Sequence, residues 1–128
     1  MISDLLLKHK VDAVIISNTT DKNRENLTGA YKNENGGLSG EPLDKISNKL
    51  IRKFYKEIKG KISIIGVGGV NSGLTAYEKL KSGAHLIQLY TGMVYEGPGI
   101  VKKIKAELID ILKKEKIKNV SEIVGTGS

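Results

Sequence analysis

The sequence predicts a parallel α/β fold, part of a (β/α)8 barrel, and three observations carry that expectation. Short apolar runs rich in β-branched residues alternate along the chain with longer stretches of helical periodicity. That order builds a parallel sheet with helical crossovers. Ser63-Ile-Ile-Gly-Val-Gly-Gly-Val-Asn-Ser-Gly73 reads as a buried strand running into a glycine-rich turn and then a helix. Such a junction places unblocked backbone N–H groups and a helix N-terminus at the strand's end, where a phosphate can bind. A second strand-to-glycine turn, Leu86-Ile-Gln-Leu-Tyr-Thr-Gly92, follows on the next strand, and two such turns in succession suggest the phosphate cradle of a barrel.

The elements follow in a regular order. Residues 2–9 read as the end of a helix. Val11-Asp-Ala-Val-Ile-Ile-Ser17 is a first strand of the kind buried on both faces in a parallel sheet. A polar loop from Asn18 to Lys45, carrying Gly36-Gly-Leu-Ser-Gly40, is too long to be a plain connector and is therefore functional or disordered. Ser47 is the expected N-cap of the next helix. In it Leu50, Ile51, Phe54, Tyr55 and Ile58 recur at helical spacing, and Gly60 ends it. The second strand runs from Ile62 to Val67. Ser72 caps the following helix, whose Ala76, Tyr77 and Leu80 share a face before Gly83 ends it. The third strand is His85 to Tyr90, and a last helix spans about Ile100 to Lys116. A full barrel needs about 250 residues, so residues 1–128 are expected to form one partial domain, about half of a barrel.

Composition excludes several classes of function. There is no cysteine, hence no disulfide framework, thiolate metal site or cysteine nucleophile. His9 and His85 are too few and too far apart to suggest a metal site. No apolar run reaches the roughly 18–20 residues that span a bilayer, and the N-terminus lacks the features of a secretory signal; a soluble cytoplasmic protein is the default. The net charge of +7 invites a nucleic-acid reading. It is rejected, because Arg24 and Arg52 are the only arginines and the lysines sit mostly on helix faces, such as Lys102, Lys103, Lys105, Lys113 and Lys114.

Four groups of residues could carry chemistry. The turn at Gly68 and Gly69 fails the dinucleotide fingerprint at Asn71 and the P-loop at Leu74-Thr75; a generic phosphate-compatible turn, or simply a tight one, remains. Ser17-Asn18-Thr19-Thr20 follows the first strand, at the end where barrels carry their active sites. Asn18 and Thr19 can donate and accept hydrogen bonds, which suits a planar ligand with amide edges; an Asn/Thr turn or cap is the alternative. Gly36 to Gly40 allows close backbone approach or plain flexibility. Thr91 could add a hydroxyl to a bound phosphate, whereas Tyr90 alone reads as core. Glu41 and Glu96 lie in loops as solvated charges, so no proton acceptor is evident in the set.

Taken in order, Ile16-Ser-Asn-Thr-Thr20, Gly36-Gly-Leu-Ser-Gly-Glu-Pro-Leu43, Ile64-Ile-Gly-Val-Gly-Gly-Val70, Ala76-Tyr-Glu-Lys79, Gln88-Leu-Tyr-Thr-Gly92 and Tyr95-Glu-Gly-Pro-Gly99 closely resemble the C-terminal half of the quinone-linked dihydroorotate dehydrogenases. The resemblance implies a (β/α)8 TIM barrel that binds FMN and oxidises dihydroorotate to orotate, with a quinone as final acceptor. It implies flavin contacts at Ser17, Gly40, Gly68, Gly69, Tyr90 and Thr91, and pyrimidine contacts at Asn18 and Thr19. The family's serine base and its membrane-docking helices match nothing in this chain. A separate N-terminal half, and peripheral membrane association of the complete enzyme only, are therefore expected. Ser63, Asn48 and Leu74 depart from the family's usual proline, threonine and aspartate. A non-catalytic interaction half-barrel and another FMN barrel, such as a tRNA dihydrouridine synthase, are the competing expectations.

Overall fold

The computed structural model describes residues 2–22 and 24–128. Three strands, β1 (Ala13–Ile16), β2 (Ser63–Val67) and β3 (Leu86–Gln88), form one parallel sheet in the order β1-β2-β3. The helices are α1 (Ile2–Lys8), α2 (Asp44–Ile58), α3 (Gly73–Lys81), α4 (Thr91–Glu96) and α5 (Ile100–Lys114). This is the expected partial barrel: parallel strands joined by helical crossovers, with each strand's C-terminal end on the same rim.

The core lies between the sheet and its helices. Ile16, Ile51, Ile58, Ile62, Ile64 and Ala84 form its buried centre, with Phe54 and Tyr55 packed at the edge. Complete burial of one such isoleucine contributes about 1.5–3 kcal/mol. Val70, Ala76, Ile100 and Ile104 join α3 to α5. The opposite face of the sheet is more exposed. Ile15, Ile65 and Leu86 stand in one register row across the three strands, and Ile15 and Leu86 are 56% and 60% exposed.

Several boundaries differ from expectation for identifiable reasons. All three strands are shorter than their apolar runs, because pairing extends only over the register shared with β2. Ser47 is not an N-cap. A 3-10 turn at Glu41–Leu43, opened by Pro42, leads directly into α2 at Asp44, so Ser47 lies buried inside the helix. Lys59, with φ 50°, makes the left-handed cap ahead of Gly60. Ser72 does cap α3: its hydroxyl accepts from the Thr75 amide at 3.3 Å, and the Thr75 hydroxyl takes the Ser72 amide at 3.0 Å. Besides the 3-10 turn at Glu41–Leu43, two elements have no counterpart in the sequence reading. One is α4, six residues long and too short to show a period. The other is a 3-10 turn at Val120–Ile123, which buries Ile123 against Tyr77 and Leu80. Among the described residues, no helix is long and apolar enough to cross a membrane.

Candidate functional site

A cavity of about 850 Å³ opens at the C-terminal ends of the three strands. Its wall contains Ser17, Asn18 and Thr19 after β1, Gly68 and Gly69 after β2, and Tyr90 and Thr91 after β3, together with Gly40 from the long loop. The topology accounts for this gathering. Parallel strands deliver their following turns to one rim, so residues 73 positions apart in sequence (Ser17 and Tyr90) share one surface.

Each turn is held by local chemistry. The Ser17 amide donates to the Val67 carbonyl at 3.3 Å, tying the end of β1 to that of β2. The Ile16–Ser17 peptide bond is cis. Asn18 Oδ1 accepts from the Thr19 amide at 2.8 Å, leaving its side-chain NH2 for a ligand. The Thr20 and Leu38 backbones exchange hydrogen bonds of 3.1 and 2.7 Å, which folds the long loop back beside Thr19. Gly37 must be glycine here, since a Cβ would overlap the Thr19 hydroxyl. The loop is therefore structured and forms part of the wall. The Arg24 guanidinium fastens it by donating to the carbonyls of Lys32, Glu34 and Gly36. Gly69, at φ 75°, lies against Asp44 so closely that a Cβ would meet the Asp44 amide nitrogen at 2.6 Å. The Thr91 hydroxyl pairs with that of Ser39 at 3.0 Å.

The structure corrects three readings of the sequence. The N-terminus of α3 is not an unblocked anion site. The Gly73 amide donates to Glu107 Oε2 at 2.6 Å, and the Asn71 and Ser72 amides donate to Thr75 Oγ1 at 3.1 and 3.0 Å. Among the described residues, the Gly68 and Gly69 amides enter no backbone hydrogen bond, so the donors left over belong to the turn itself. Tyr90 is not core but 79% exposed at the rim. Glu41 and Glu96 are exposed, as expected of solvated charges, but they lie in the 3-10 turn and in α4 rather than in loops, at the edge of the cavity, with Glu96 paired to Lys103 at 2.7 Å. Leu27, Leu38 and Tyr95 were also missed; they are apolar wall from loop and rim, where no periodicity marks them.

The donor set suits a neutral heterocycle with amide edges joined to an anion. Hydroxyls and a carboxamide cluster near β1, free turn amides follow β2 and a hydroxyl follows β3. Among the described residues no lysine or arginine lines the wall, so an anion there would be held by backbone amides and hydroxyls.

Comparison with known proteins gives a consistent result. The family model described as dihydroorotate dehydrogenase matches residues 1–112. The dihydroorotate dehydrogenase (quinone) of Haemophilus ducreyi is 47% identical over 109 residues, covering 84% of this chain and 32% of that protein. The mitochondrial quinone enzyme of Mus musculus is 45% identical over 115 residues, covering 90% of this chain and 29% of the mouse protein. The crystal structure of the Eimeria tenella enzyme in complex with ferulenol superposes with a TM-score of 0.93 at 39% identity, over 98% of this chain and 33% of that one. The chain thus spans about a third of the length of the relatives it matches.

Proposed function

This chain belongs to the dihydroorotate dehydrogenase family, and from that premise we propose that it supplies the C-terminal part, as a single partial domain, of an FMN enzyme. That enzyme oxidises dihydroorotate to orotate in pyrimidine biosynthesis and passes the electrons to a quinone. One observation carries the proposal: turns after three successive strands, bearing seven of the residues singled out from sequence, line one cavity with the eighth, Gly40, from the long loop.

The residues present fit the cofactor. Gly68 and Gly69 offer turn amides and Thr91 a hydroxyl for the phosphate end. Ser17 and Gly40 would border the ring, and Tyr90 at the rim would complete the wall. When bound, FMN supplies the two-electron acceptor that the oxidation needs. Asn18 presents a carboxamide and Thr19 a hydroxyl, which together hold and orient the pyrimidine edge. The Gly37 packing fixes Thr19 for that task. The family's serine base matches no residue of this chain, so in this reading the base comes from the remainder of the enzyme. General-base assistance is worth about 10²–10⁴-fold; the isolated chain is accordingly inactive, and membrane association belongs to the complete enzyme.

The more exposed row of Ile15, Ile65 and Leu86 supports a second, compatible reading in which the chain acts as an interaction half that a complementary N-terminal part covers. Both readings are tested by mixing the chain with the N-terminal two thirds of the Haemophilus ducreyi enzyme. Dihydroorotate-dependent quinone reduction is expected in the mixture and not from the chain alone. Turnover by the chain alone would remove the need for a partner, and absence of FMN binding in the mixture would remove the flavin reading.

A further inference from the structure

Behind the cavity, and outside its wall, lies a fully buried cation. Lys79 of α3 has no exposed surface. Its aliphatic stem crosses β2 at Gly66, where a Cβ would lie 2.8 Å from Lys79 Cγ and Cδ; the strand carries glycine there because the lysine occupies the space. Its Nζ meets three acceptors on one face of α2: Asn48 Oδ1 at 2.7 Å, Ser47 Oγ at 3.2 Å and Asp44 Oδ1 at 3.6 Å. Asn48 Nδ2 in turn donates to Asp44 Oδ1 at 3.2 Å. Burying an ammonium is costly unless it is paired and hydrogen-bonded, and here two hydrogen bonds and one ion pair meet it. Burial pushes the Lys79 pKa below its ordinary value, while Asp44 opposes that shift.

The ammonium can only donate. Ser47 Oγ must therefore accept from Lys79, and its single proton is directed elsewhere, to the Val67 carbonyl at 2.7 Å. The same carbonyl accepts the Ser17 amide. Val67 immediately precedes Gly68 and Gly69, and Gly69 is seated on Asp44. A path of polar contacts thus runs from Lys79 through Ser47 to the one carbonyl that joins the ends of β1 and β2.

We propose that Lys79 is a positioning residue for the cavity: by fixing the direction of the Ser47 hydroxyl it holds the Val67 carbonyl, and with it the Gly68–Gly69 turn and the Ser17 amide. The consequence for the cofactor's phosphate rests on the flavin reading above; the effect on the turn does not.

The test uses the full 128-residue chain, isotope-labelled, with the amide resonances of Ser17, Gly68 and Gly69 and the exchange rate of the Ser17 amide, which is bonded to the Val67 carbonyl. Lys79→Met is expected to shift all three resonances and to speed Ser17 exchange about tenfold, the scale of losing one charge-assisted hydrogen bond. Amides of α5 should not move. Ser47→Ala should give the same signature, and the double variant should add nothing to Ser47→Ala, because the lysine acts through the serine. Lys79→Gln, which can accept as well as donate, tests the same point should Lys79→Met fail to fold. Unmoved turn amides, or additive effects in the double variant, would overturn the proposal by reducing Lys79 to core filling. A second arm compares FMN with riboflavin, which lacks the phosphate. Selective weakening of FMN by Lys79→Met supports the proposal, and equal weakening of both contradicts it. If the unaltered chain, complemented by the N-terminal part, binds neither flavin, the cofactor reading falls while the amide measurement still decides the role of Lys79.

Discussion

The two faces of the sheet are finished to different degrees. On the helix side, Ile16 and Ile64 are 3% and 0% exposed beneath α2, and Ala84 closes the gap beside them. On the other side, the row Ile15, Ile65 and Leu86 carries equally apolar chemistry and is more exposed. Parallel strands are apolar on both faces because both are normally covered. The helix-side packing is therefore completed within this chain, whereas Ile15 and Leu86 on the other face stay exposed. The rim cavity is walled by the turns that follow the three strands.

Substitutions can break that contrast. The largest effect is expected from Ile64→Ala, which removes a fully buried side chain from the central strand and should lower stability by about 2–5 kcal/mol in urea unfolding. The same truncation at Ile15, across the sheet, should change stability by no more than about 0.5 kcal/mol in the chain alone; a large loss there would show that the inner face is already covered. Next comes Gly69→Ala, which places a side chain in a left-handed conformation costing about 1–2 kcal/mol and presses on Asp44. It should also abolish flavin binding. Ser72→Ala removes the cap of α3 and should cost about 0.5–2 kcal/mol, without affecting flavin binding, because those helix amides serve the fold. The smallest effect concerns His85. Burial lowers its pKa from the ordinary 6.5, and its Nδ1 accepts the Ile64 amide at 3.1 Å, which requires the neutral ring. A depressed folded-state value means that this contribution is present above about 6.5 and lost as pH falls through the folded value. Thermal melts at successively lower pH should show the loss, and His85→Asn, which keeps an acceptor without titrating, should flatten it.

Much of this was legible in the sequence because the governing signals are local. The order of strands and helices follows from apolar periodicity, and the Ser72 cap from residue type. The rim residues follow from the rule that parallel strands present their C-terminal ends together; Ser17, Asn18, Gly69 and Thr91 meet for that reason. What stayed hidden depends on tertiary context. Ser47 has the chemistry of a cap, yet Pro42 starts the helical path earlier and leaves Ser47 buried beside Lys79. Lys79 enters the sequence reading only as part of the Ala76–Lys79 motif, since nothing in its own segment marks the space that Gly66 leaves for it. Glu41 and Glu96 enter the wall only because the loop folds back through Thr20 and Leu38 and because α4 begins directly after Tyr90. The closure of the α3 N-terminus by Glu107 comes from a residue 34 positions away.

The account turns on one bound flavin touching all three strand ends. Its most direct test is amide-shift mapping of the isotope-labelled chain, complemented by the N-terminal part of a relative, during titration with FMN. Saturable shifts at Ser17, Gly68, Gly69 and Thr91 together, with α5 silent, are predicted. Shifts confined to one strand end, or none at saturating FMN, would contradict it.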